Sequence, residues 1–80
     1  EARDIDILEV APKKNFVKIQ SIVNSLQKIQ DKKIHSINFI LDEFKLELKK
    51  PNKVFIDAIK KGVILFGQEN FVKFMKGIPI

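Results

Sequence analysis

From Asp4 to Val10 the chain reads D-I-D-I-L-E-V, and a period of two places Asp4, Asp6, Leu8 and Val10 on one side with Ile5, Ile7 and Glu9 on the other. This alternation predicts a strand. Ala11-Pro12-Lys13-Lys14 interrupts it, because proline has no N–H to give to a central ladder, and the lysines or Asn15 then begin a helix. Phe16, Ile19, Val23, Leu26 and Ile29 recur at spacings of three and four with Lys, Gln, Ser and Asn between them, so an amphipathic helix of roughly four turns is expected.

Ile34 to Leu41, I-H-S-I-N-F-I-L, is rich in β-branched and aromatic residues and predicts a second strand, giving a β-α-β unit. Asp42 can cap a helix over Glu43 to Lys50, in which Phe44 and Leu48 share a face, and Pro51-Asn52 separates it from a helix over Lys53 to Lys61. Gly62 follows Lys60-Lys61 as a C-cap glycine would, with cations at the negative end of the helix dipole. Val63 to Phe66 predicts a short buried strand ended by Gly67, and Gln68 to Lys76 a last helix carrying Phe71, Phe74 and Met75. The expected fold class is α/β: one domain over residues 1–80, a small sheet flanked by helices, with no internal repeat.

Composition narrows the class further. A hydrophobic content of 45% with seven Phe is too apolar for a disordered segment, although 80 residues allow only a small core. No apolar run approaches the ~20 residues of a membrane span, and no signal peptide is visible. The absence of cysteine excludes disulfides and thiolate metal sites, and a cytoplasmic setting is expected. The chain lacks an initiator Met and enters a strand pattern almost at once, which suggests a fragment whose upstream part is missing.

The net charge of +5 is unevenly placed. Residues 1–10 hold Glu1, Asp4, Asp6 and Glu9 against Arg3, while residues 11–80 carry 14 Lys against 6 acids. An acidic strand in a basic domain suits metal ions beside a polyanionic substrate, and a lysine-rich solubilising surface gives the same composition. Direct nucleic-acid binding is the less favoured reading, because the aromatic residues recur at helical core spacing and there is no Arg cluster. The apolar positions of the last helix invite a helical partner or a homo-oligomer.

Asp4 and Asp6 are the most specific chemistry on offer. On one face of a strand their Cβ atoms lie roughly 6 to 7 Å apart. Two carboxylates so placed can share Mg²⁺, and a charged pair at a sheet edge also serves to discourage edge pairing. Asp42-Glu43 reads as helix-start acids, and a displaced metal ligand is the minority alternative. His35 is the only histidine, with no second His or Cys to build a zinc site or a nucleophile triad. Gly62 and Gly67 form no phosphate-cradling motif and read as turns.

The stretch R-D-I-D-I-L-E-V resembles the second strand of the minimal nucleotidyltransferase domains of the DNA polymerase β superfamily, where a Gly-Ser loop precedes an S-D-I-D-L-L-V type strand. The run INFILDEFKLELKKPNKVFIDAIKKGVILFGQENF is similar to their C-terminal part, in which a strand leads into an E-E-F-like helix, a helix ending in a K-x-G-like turn, and a V-I-L-F/Y-G strand. The order of elements matches over nearly all of the chain. The resemblance implies a small mixed β-sheet flanked by helices, and Mg²⁺-dependent transfer of a nucleotidyl group from a nucleoside triphosphate to a hydroxyl. It implies Asp4 and Asp6 as the catalytic, metal-binding pair, with Asn38 at the position of the family's third aspartate. Asn38 is neutral and cannot serve as a carboxylate base, and the Gly-Ser part would lie upstream of Glu1. Members of this class pair with helical partners as antitoxins or join DNA-binding regulators, so the alternatives are a catalytically inactive interaction module and a small basic nucleic-acid-binding α/β protein.

Overall fold

The computed structural model describes residues 4–50 and 52–78. The breaker expected at Pro51 and the charges of Glu1 and Arg3 lie outside them. Strand β1 spans Ile5–Val10 and leads through a 3-10 turn at Lys13–Asn15 into α1, Phe16–Gln27. Strand β2 is Ile34–Phe39, α2 is Leu41–Lys49, α3 is Lys53–Lys61, β3 is Val63–Phe66 and α4 is Gln68–Lys76.

The strands form one sheet in the order β2-β1-β3 with β1 central. Ile5 aligns with Ile34 and Ile7 with Val63, and both pairings are parallel. The α/β class is therefore as expected. The antiparallel member that a mixed sheet requires is not among the described residues. A parallel strand needs a crossover before it can pair, and the helices supply these: α1 between β1 and β2, α2 and α3 between β2 and β3.

Crossover helices cover both faces of such a sheet, so two cores form. On one face Ile7, Ala11 and Ile34 pack with Ile19 and Val23 of α1 and Phe71 and Met75 of α4. On the other, Leu8 and Val10 pack with Phe44 of α2 and Phe55 of α3. Burial of apolar side chains at roughly 1.5–3 kcal/mol each is the main force holding both layers to the sheet. Aromatic edges lock the second layer: the Phe39 and Phe55 rings are 5.8 Å apart and nearly perpendicular, and Phe44 meets Phe66 at 5.6 Å in the same way. Phe71, Phe74 and Met75 on the apolar side of α4 pack inside the molecule, against α1 and the sheet.

Helix ends differ from expectation in instructive ways. Helix α1 stops at Gln27, before Ile29, because the Gln27 side chain takes over the next turn: it accepts from the Ile34 N–H at 2.8 Å and donates to the Lys32 carbonyl at 2.9 Å. Helix α2 begins at Leu41, one residue before Asp42, and the Glu43 carboxylate accepts from the Ile40 N–H at 3.2 Å. Asp42 and Glu43 thus both lie in the first turn, where acids suit the dipole. Asn52 caps α3 by accepting from the Phe55 N–H at 2.8 Å.

Gly62 ends α3 in an extended conformation, φ −113° and ψ −168°, so left-handed capping is not why glycine stands there. A Cβ at this position would lie 2.5 Å from the Asp6 carbonyl oxygen and 2.9 Å from the Asp6 Cβ. Only glycine lets α3 approach β1 so closely. Gly67 has φ +84° and opens α4, a backbone conformation that other residues rarely adopt.

Candidate functional site

Asp6 is on the first half of β1, Asp4 immediately precedes that strand, and both follow the alternation that sends Leu8 and Val10 to the α2/α3 face. Asp6 registers with His35 on β2. Across this strand pair the His35 Nε2 lies 2.9 Å from Asp4 Oδ2, with the two side chains 48% and 53% exposed. His35 is therefore a strand-face histidine with a defined partner, and it fixes the orientation of the first carboxylate.

The two aspartates open onto a cavity of about 350 Å³ whose floor is the sheet and whose wall is α3. Ile37, Val54 and Ala58 form its apolar part, and Asp57 and Lys61, one turn apart on α3, bring a further carboxylate and an ammonium to the same space. The C-terminal end of α3 meets β1 at Asp6 through Gly62, so the negative end of the α3 dipole lies beside the aspartates. Carboxylates and dipole together favour a cation there. Lys61 adds a positive charge to the same wall.

The structure brings Asp4 and Asp6 together but not Asn38. Asn38 registers with Glu9, and alternation along β2 sends it with Ile34 to the α1/α4 face, on the opposite side of the sheet from the aspartates. On the aspartate side β2 presents His35 and Ile37. Of the expected set Asp4, Asp6 and Asn38, only the two aspartates share a face and a cavity. Among the described residues no group of three or more His, Cys, Asp or Glu side chains is arranged to hold a metal ion. A pair of carboxylates remains compatible with Mg²⁺, which is commonly bound by one or two carboxylates together with waters and substrate phosphates. Asp42 and Glu43, on α2, do not line this cavity.

Compared with family models, curated proteins and solved structures, the chain matches none. The residues themselves therefore carry the functional argument.

Glu9 was not singled out by its neighbours in sequence, yet it is the most unusual acid in the fold. It is 0% exposed, and neither carboxylate oxygen has a hydrogen-bond partner. Burial raises its pKa from the ordinary 4.5 to about 7. Asn38 Oδ1 and Ser36 Oγ, on the same face of β2, are also buried without partners. A neutral Glu9 gains an O–H donor among these acceptors, whereas an ionised one only accepts. The available signal was a glutamate between Leu8 and Val10 in a strand flanked by two others in parallel, where both faces are covered.

Proposed function

We propose that the chain is a nucleotidyltransferase-like domain that binds a nucleoside triphosphate with Mg²⁺ at the cavity fronted by Asp4 and Asp6. The observation that carries this reading is the convergence of the two carboxylates, the C-terminal end of α3 and Lys61 on one apolar-walled cavity. The resemblance of the D-x-D strand and of the V-I-L-F-G stretch to minimal nucleotidyltransferases supports the same reading. The donor set fits Mg²⁺, a hard cation that takes oxygen ligands.

Asp4 and Asp6 would hold the metal, which when bound supplies charge neutralisation to the reacting phosphate and its leaving group. His35 keeps one oxygen of Asp4 engaged and so limits the rotation of that carboxylate. Lys61 offers a point charge to a phosphate oxygen, and Ile37, Val54 and Ala58 offer an apolar wall to an uncharged part of the ligand. Asp57 is the remaining carboxylate on the cavity wall that can accept a proton from an attacking hydroxyl.

The position of Asn38 favours a second reading, binding without transfer, since β2 gives this face no carboxylate base. Two measurements separate the readings. Calorimetric titration of the chain with ATP should show binding that requires Mg²⁺ and is lost in Asp4→Asn and Asp6→Asn. Labelling of acceptors from an α-phosphate-labelled nucleoside triphosphate should accompany it if transfer occurs, and binding without labelling selects the interaction module. Nucleotide binding that is indifferent to both substitutions, or no binding at all, overturns the assignment of this cavity.

A further inference from the structure

We propose that two copies of this chain join through the outer edges of their β3 strands, around a two-fold axis, to make a continuous six-stranded sheet.

The sheet has two edges, and they are not alike. The β2 edge carries His35, Ser36 and Asn38, and the His35–Asp4 pair stands across it. The β3 edge, Val63-Ile64-Leu65-Phe66, has no polar side chain, and its Val63 and Phe66 are 37% and 50% exposed. Natural sheets guard their edges with charges, bulges or covering elements, and β3 carries no charge of its own.

The backbone of β3 is set for pairing. Gly67 donates its N–H to the Val10 carbonyl at 2.8 Å, so residues at a period of two from it, Leu65 and Val63, also turn their backbone groups toward β1. Ile64 and Phe66 consequently direct their N–H and C=O outward. An antiparallel pairing centred on Leu65 places Ile64 opposite the partner's Phe66, matching outward groups with outward groups and a β-branched side chain with an aromatic one. The same register sets Val63 opposite the partner's Gly67, which leaves room for it.

Charge selects the antiparallel arrangement and a second copy as the occupant. Lys60 and Lys61 stand at the start of β3 and Glu69 just beyond its end. A parallel pairing sets the lysines of one copy against those of the other. The antiparallel pairing brings them to the end that carries the partner's Glu69, twice by symmetry.

The unaltered chain at rising concentration provides the test. Sedimentation equilibrium should show conversion from the 9.3 kDa monomer to twice that mass, with amide exchange at Ile64 and Phe66 slowing in step while exchange at Ser36 and Asn38, whose N–H groups face outward from β2, does not. Phe66→Lys should abolish the dimer. Lys61→Glu should weaken it, and Lys61→Glu combined with Glu69→Lys should recover it. A monomer at every concentration overturns the proposal, and so does a dimer in which Ile64 and Phe66 exchange as fast as in the monomer. The exchange measurement uses the native sequence and decides the matter even where Phe66→Lys unfolds.

Discussion

Asp6 and Glu9 stand three residues apart on one strand and live in opposite worlds. Asp6 faces α3, at the mouth of a cavity lined also by Lys61 and His35 and open to solvent. Glu9 faces α1 and α4, where Ile19, Phe71 and Met75 exclude water and no partner meets its carboxylate. The difference teaches that an odd step along a strand decides whether an acid faces an open cavity or is buried with its pKa raised to about 7. The sheet sorts its acids by parity.

The strongest way to break that comparison is to open the buried side. Phe71 is fully buried against β1, and Phe71→Ala should cost about 3–5 kcal/mol in chemical denaturation. Truncating Phe66, half exposed on the other side, should cost far less; equal costs would show that the two faces are not differently sealed. Glu9 comes next. In the unfolded chain its carboxyl ionises near 4.5, and in the folded chain near 7, so between these values the folded state keeps a proton that the unfolded state has lost. Its contribution is full below pH 4.5 and is lost as pH rises to about 7, up to roughly 3 kcal/mol. Glu9→Gln should flatten that part of the stability profile, and an unchanged profile would assign the pH dependence elsewhere.

Gly62→Ala tests the seam between the two regions. The added methyl would press on the Asp6 backbone and side chain and should cost about 1–3 kcal/mol while reducing Mg²⁺-dependent nucleotide binding in calorimetry. The same stability cost with unchanged binding would uncouple the seam from the cavity. The smallest effect is expected at His35. Its pair with Asp4 is about half exposed, so His35→Ala should change stability by only ~0.2–1 kcal/mol in thermal denaturation. A larger loss would mean that this side is more tightly built than its exposure indicates.

Much of this architecture was legible in the residues. The switch from the period of D-I-D-I-L-E-V to that of the Phe16 helix marks the first crossover, and Gly67 marks the join of β3 to α4, because burial and backbone sterics act locally there. The face shared by Asp4 and Asp6 follows from alternation alone. Register between strands does not, since it is set by the packing of α1 against residues far along the chain. For that reason the Asp4–His35 contact and the separation of Asn38 from the aspartates could be read only from the assembled sheet. Gly62 looked like a helix terminator, whereas its neighbour is Asp6, more than fifty positions earlier in the chain.

The Gln27 clamp bears on the order in which the sheet assembles. It closes the turn that delivers β2 to β1, joining Ile5 to Ile34 over 29 residues, whereas β3 meets β1 at Ile7 and Val63 over 56. Near-doubling of the loop adds about 0.6 kcal/mol of closure entropy, and no equivalent clamp is described ahead of β3. The β1-α1-β2 unit is expected to nucleate folding and β3 to dock last and detach first. Native-state exchange should therefore release the Leu65 amide before that of Ile5, and the reverse order would contradict it. A late-joining strand is also one that can be traded between molecules, so the clamp at the far side of the sheet leaves β3 as its most exchangeable member.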